Sequence, residues 1–285
     1  MVWRGTAALV FALVCNAASA DVLERVSETK TFRLGYRTDA PPFSMEGPQG
    51  NRQGYSVDLC RAVADTVRSE LKLSALVVQY IAVDAENRFE KIEDGSIDIL
   101  CGPTTATLSR RERVDFSLPT FIAGAGVMVP AGAGIVKLDD LADKRLGVRA
   151  GTTTEQALMD TYPDASIVAT TDHRNGLAGV LNGSLDAYFA DRTVLEGLRQ
   201  EHRDAARLKI ADDYLTIEPY GLALPKDDSR FRLLVDRTLS TLYKSRQIEE
   251  IAARHFDGQL IFEVSYRWPE GRLIAYEVRR QGSFH

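Results

Sequence analysis

The sequence predicts an α/β protein made of two helix-covered units, for three reasons. Short apolar strands alternate with amphipathic helices, the order that builds a parallel sheet flanked by helices. The alternation runs twice, on either side of an apolar, glycine-rich run at Phe121–Val129. A chain of 285 residues is also long enough to bury two cores of ordinary size.

The elements follow in order. Phe32 to Tyr36 reads as a short buried strand leading to a turn at Pro41 and Pro42. The helix "GYSVDLCRAVADTVRSEL" follows, with Val57, Cys60, Val63, Ala64 and Val67 on one face. "ALVVQYIAV" is the next strand, "NRFEKIEDG" a helix stopped by Gly95, and "SIDILCG" the third strand. Past the apolar run come a short helix at "KLDDLAD", the strand "RLGVRAG" and a helix from Thr152. "ASIVAT", the helix "HRNGLAGVLNG" and the strand "SLDAYFADRTV" repeat the pattern. "EPYGLALPKDD" supplies one more strand before the helices "SRFRLLVDRTLSTLYKSR" and "QIEEIAARHF". Residues 259–285 have little periodicity and are expected to pack on the surface.

A net charge of -5 and a 26% share of charged residues give no reason to expect nucleic acid or an acidic membrane as partner. Residues 1–20 have the build of a secretory signal peptide: Arg4, the apolar run "AALVFALV", then "ASA" before Asp21. That run is shorter than the roughly 20 residues a membrane span needs. A lipoprotein signal through Cys15 would require a smaller residue than Val14 before it. The mature chain then begins at Asp21, exported, and keeps only Cys60 and Cys101. An oxidising compartment opens these two to pairing, with buried free thiols the alternative. We expect a disulfide tying the first long helix to the end of the third strand.

Ligands of open α/β sheets collect at the carboxyl ends of strands. Three such ends carry similar groups: Arg37, then Gly102-Pro103-Thr104-Thr105, then "AGTTTEQ". The last offers hydroxyls and free N–H groups at a helix start, which suit an anion or simply cap the helix. Arg110, in "CGPTTATLSRRERVDFS", can hold a carboxylate through two parallel hydrogen bonds. Taken alone, Arg110 and Arg88 are equally surface charges, Asp191 a helix cap and His173 a loop residue. There is no GxSxG, HExxH or GxxxxGK[ST] motif, and the four histidines have no metal spacing.

In succession, "GYRTDAPPFS", "GYSVDLCRAVAD", "NRFEKIEDGSIDILCGPTTATLSRRERVDFSLPTF", "DLADKRLGVRAGTTTEQ", "GSLDAYFADRTVL" and "YGLALPKDDSRF" resemble the family 3 solute-binding proteins, the periplasmic amino-acid receptors of ABC importers. The likeness runs from Thr31 to Phe256 and is greatest to the glutamate/aspartate receptors. It implies the periplasmic-binding-protein type II fold, with two lobes joined by two crossing strands around a ligand cleft. Lobe one would comprise residues 21–122 and 220–258, and lobe two residues 123–219. The resemblance also implies roles. Arg110 would clasp the ligand α-carboxylate with Thr105 and Thr153. Asp191 and the Pro103 carbonyl would take the α-ammonium, with Thr105 helping. Arg37, Arg88, Thr152 and His173 would surround the side chain. Pro103 and Ala85 depart from the pattern, each removing a hydroxyl. The implied protein is a monomer without cofactor or metal that hands an acidic amino acid to a membrane permease. The alternatives are a glutamine receptor, a sensory ligand-binding domain, or a dehydratase-like enzyme using Glu155 and His173.

Overall fold

The computed structural model describes residues 21–135 and 138–256, together with two strands, Ile261–Glu263 and Glu277–Arg279. Those two strands pair with each other antiparallel. The signal peptide and the surface packing expected of residues 259–285 lie outside the described residues. Among the described residues, no helix is long and apolar enough to cross a membrane.

Two five-stranded sheets form the two lobes. In the first, Val77–Val83, Thr31–Arg37 and Ile99–Cys101 run parallel, and Ala223–Leu224 and Asp115–Phe116 complete the sheet with antiparallel pairings. In the second, Ser166–Thr170, Arg145–Arg149 and Ala187–Asp191 are parallel, followed by the antiparallel Ala125–Pro130 and then Leu208–Ile210. Each sheet thus has a parallel half, as expected, and an antiparallel half that the βα alternation does not reveal. The fourth strand of each sheet is the one that enters just after the chain crosses between lobes.

The crossing itself is a two-stranded pair, Phe121–Ala123 against Glu218–Tyr220. Two runs read as single strands are therefore divided. The apolar run breaks at Gly124, where a Cβ would lie 2.6 Å from the Tyr214 ring and 2.7 Å from the Thr216 carbonyl. The later run divides into Glu218–Tyr220 and Ala223–Leu224, which serve different sheets. Phe121 and Tyr220 anchor the crossing in an aromatic cluster, with ring centroids 4.8 and 5.2 Å from Phe43.

Sequence periodicity locates the long helices. Tyr55–Glu70 buries Val57, Cys60, Val63, Ala64 and Val67 as expected. It starts at Gly54, where a φ of 132° and a Cβ position 2.3 Å from the Phe43 carbonyl exclude a side chain. Cys60 on this helix is bonded to Cys101 at the strand end, with Cα atoms 6.1 Å apart. Some details differ from expectation. "KLDDLAD" contains only a 3-10 turn at Leu138–Leu141. Helices at Val22–Thr29 and Arg192–Glu201 were not foreseen. The second of these begins where "DRTV" had been read as strand, because Asp191 ends the strand and the helix starts at Arg192.

Candidate functional site

The carboxyl ends of the parallel strands of both sheets face one another across the crossing pair. Arg37 and Arg149 end their strands, Asp191 ends a third, and Pro103 and Thr105 follow Cys101. One cleft is lined by Arg37, Arg88, Pro103, Thr105, Arg110, Thr152, Thr153, His173 and Asp191, all nine residues singled out from the sequence. Arg149 joins them from the second sheet. Within the cleft the groups sort into two ends of opposite character.

The end beside the crossing strands carries acids and hydroxyls. Glu218, 2% exposed, accepts the Thr105 and Thr153 hydroxyls on Oε2, at 2.5 and 2.8 Å. Its Oε1 accepts the Thr216 hydroxyl at 2.6 Å. Thr105 and Thr153 come from different lobes, and their hydroxyl oxygens are 3.4 Å apart. Asp191 stands at the N-cap of its helix yet makes no capping bond, and its Oδ1 is buried without a partner. Burial, with Glu218 adding to it, pushes the Asp191 carboxyl up to about 7. The nearby Tyr220 hydroxyl interacts with Asp191 and opposes that shift, and burial first, then Asp191, holds the phenol in its neutral form.

Arg110 borders this end. Thr107 caps its short helix, its Nη1 donates to the Thr105 carbonyl at 3.0 Å, and its guanidinium lies over the Phe89 ring. Burial lowers its pKa, while Glu218 and Asp191 oppose that shift.

The far end is built of guanidiniums. Arg37, Arg88 and Arg149 are 2%, 2% and 3% exposed. Arg37 Nε donates to Asp39 at 2.9 Å, and Arg149 Nε lies 3.6 Å from the other Asp39 oxygen. Arg88 Nη2 donates across the lobes to the Gly151 carbonyl at 3.2 Å. Gly151, at φ 72°, comes so close to Ala85 that a Cβ there would be 3.0 Å from the Ala85 carbonyl. Arg37 Nη2 is ion-paired with Asp39 Oδ1 at 2.6 Å, Arg149 Nε and Asp39 Oδ2 meet only at the longer ion-pair distance, and Arg88 Nε is buried without a hydrogen bond. Burial first, then Arg110, Arg37 and Arg149, drives the Arg88 pKa well below its ordinary value.

His173 is the first residue of the helix His173–Asn182, not a loop residue, and its Nδ1 lies 2.8 Å from the Tyr188 hydroxyl. Burial, opposed by Asp39 and reinforced by the three arginines, lowers its pKa to about 3. It is therefore neutral at pH 7. Thr152 is committed locally. Its hydroxyl donates to the Arg149 carbonyl at 2.8 Å and accepts the Glu155 N–H at 3.2 Å. Glu155 answers by accepting the Gly151 N–H at 2.9 Å, a variant of the capping box in which the residue before the cap supplies the N–H.

This disposition of strand ends around a two-strand crossing has counterparts among known proteins. A profile of the bacterial extracellular solute-binding proteins, family 3, matches residues 32–258. The chain belongs to this family. Among its relatives, the L-glutamate/L-aspartate-binding protein of Pseudomonas aeruginosa is 32% identical, over 87% of this chain and 85% of that protein. The glutamate/aspartate import solute-binding protein of Escherichia coli is 28% identical over 86% and 85%. In three dimensions, the cysteine-binding protein of Campylobacter jejuni has a TM-score of 0.75 at 26% identity, covering 83% of this chain and 93% of that one.

Three residues of this family member's cleft escaped the sequence reading. Arg149 had a signal, since it ends a strand just before a Gly-Thr-Thr turn, much as Arg37 ends its own. Asp39 lies two residues beyond Arg37 and could have been weighed as its counter-ion. Glu218 had none, because nothing local tells that a glutamate before Pro219 meets threonines 113 and 65 positions away.

Proposed function

We propose that this chain is an exported, monomeric receptor that binds an acidic L-amino acid, glutamate or aspartate, between its lobes and presents it to an ABC permease. The observation that carries this reading is the charge of the cleft. Four guanidiniums, of Arg37, Arg88, Arg110 and Arg149, gather with three carboxylates, of Asp39, Asp191 and Glu218. His173 is neutral there. Once the ligand's ammonium holds Asp191 ionised, one positive charge is left over, and a glutamate or aspartate zwitterion, with net charge -1, cancels it. Glutamine has no net charge and would leave buried guanidinium N–H groups unpaired.

The bipolar layout gives the orientation. Arg110 takes the α-carboxylate. Asp191, with the Pro103 carbonyl, takes the ammonium. Arg37, Arg88 and Arg149 take the distal carboxylate. These groups come from both lobes, so the ligand favours the closed form, which the permease would read. The names of the relatives from Pseudomonas aeruginosa and Escherichia coli agree with the acidic ligand. The dehydratase-like alternative loses its acid/base pair. Glu155 is occupied by the capping box, and His173 titrates far below neutrality. Calorimetry with glutamate, aspartate and glutamine tests the reading. Saturating glutamate or aspartate should also contract the protein in solution scattering, and a wild type that prefers glutamine or a basic amino acid overturns it.

A further inference from the structure

The reading above leaves Glu218 counted only as charge. Its geometry says more. A carboxylate can accept hydrogen bonds but not donate them, and a threonine hydroxyl has a single proton. Thr105 and Thr153 both direct their hydroxyls at Glu218 Oε2, while Thr216 donates to Oε1. With those protons committed, neither Thr105 nor Thr153 can donate to anything else. What each still offers the cleft is an oxygen lone pair, which suits an N–H donor and not a carboxylate.

The positions hold this arrangement firmly. Glu218 is on the crossing strand, paired with Ala123, and is almost fully buried. Thr105 is bridged to Tyr220 on the same strand. Thr153 opens the helix of the opposite lobe. One buried carboxylate therefore orients a hydroxyl from each lobe.

We propose that Glu218 is a positioning residue for ammonium recognition: by holding the hydroxyl protons of Thr105 and Thr153 it turns both oxygens into acceptors for the ligand's α-ammonium, alongside Asp191. The α-carboxylate is then left to Arg110 and backbone N–H groups, and the Thr153 hydroxyl does not serve it. This rests on the amino-acid reading of the cleft.

The test compares L-glutamate with L-2-hydroxyglutarate, which keeps both carboxylates and lacks the ammonium. Thr153→Val removes the hydroxyl at nearly constant shape. It should weaken glutamate by about tenfold or more, as expected for a hydrogen bond to a charged group, and weaken the hydroxy acid clearly less. Equal losses for the two ligands would place the Thr153 hydroxyl on the shared carboxylate and overturn the proposal. Glu218→Gln should lower the glutamate-to-hydroxyglutarate affinity ratio by a similar factor, with the melting temperature as the check on folding. An unchanged ratio in that variant also overturns it. If the wild type selects a different amino acid, the same comparison is run with that amino acid and its 2-hydroxy analogue. The acidic-ligand reading then fails while the role of Glu218 is still decided. If no amino acid binds, both fall.

Discussion

The two ends of the cleft solve the burial of charge in opposite ways. Beside the crossing strands, three threonine hydroxyls close on Glu218, and Asp191 keeps one buried oxygen unpaired. At the far end, three buried guanidiniums face one buried carboxylate, Asp39, which pairs closely with Arg37 and loosely with Arg149; Arg149 also reaches the exposed Glu86 at 3.9 Å, and Arg88 Nε has no hydrogen bond. Leaving a buried donor unpaired costs roughly 1–3 kcal/mol, more when it is charged. The near end is thus pre-organised for the part common to all amino acids. The far end is left incomplete, and a distal carboxylate is what completes it. Specificity then arises from a deficit and not from an added contact.

The largest break in this comparison should come from Arg110, which faces the group every amino acid carries. Arg110→Ala should abolish detectable binding of all of them, a loss of about 2–5 kcal/mol for truncating one partner of a buried charge pair. Calorimetry that still detects glutamate at near wild-type affinity would remove Arg110 from the site.

Arg88 belongs to the incomplete end and should separate ligands instead of abolishing binding. Arg88→Ala should weaken glutamate by about 2 kcal/mol or more and glutamine by much less. Equal losses for the two ligands would mean that the far end does not discriminate.

The near end should betray itself through pH. Burial, and secondarily Glu218, push the Asp191 carboxyl up to about 7, with Tyr220, Arg110 and Arg88 opposing. A bound ammonium favours its ionised form and lowers that pKa. Binding should therefore strengthen as pH rises and level off above about 7, with a loss approaching tenfold per unit of pH on the acid side. For stability the sign is opposite. A carboxyl raised in the folded state favours the fold at low pH, and that contribution is lost as pH rises from its unfolded value through about 7. Proton release on binding at pH 6, measured by calorimetry in buffers of different ionisation enthalpy, checks the first statement. Asp191→Asn should remove that release.

The smallest effect on binding is expected from the disulfide, which lies in lobe one and outside both ends. Cys60 and Cys101 are 41 positions apart, so reduction should cost on the order of 3–4 kcal/mol of stability in the chain-entropy model. The preference between glutamate and glutamine should stay as it was. A melting curve and a calorimetric series on reduced protein decide it.

What the sequence determined by itself is local. Hydrophobic periods located the long helices and most parallel strands, because a strand buried on both faces and a helix with one apolar stripe leave their marks within a few residues. The same locality made Arg37, Thr105, Thr153 and Asp191 legible, since each follows a strand or opens a helix. The motif order carried the remaining assignments, Arg88, Arg110 and His173 among them. What only the tertiary structure decided concerns groups that meet across the crossing. The break at Gly124 follows from a contact with Tyr214 and Thr216, some ninety positions on. The antiparallel halves of the sheets depend on where the chain returns after changing lobes. The capping box that occupies Thr152 could be read from "TTTE", but the closure of Thr105 and Thr153 on Glu218 could not. Nor could the convergence of Arg149 with Arg37 on Asp39. In each case the energy comes from burying charged or hydroxyl groups together, and burial belongs to the fold, whereas a pattern along the chain reports only which face of its own element a residue occupies.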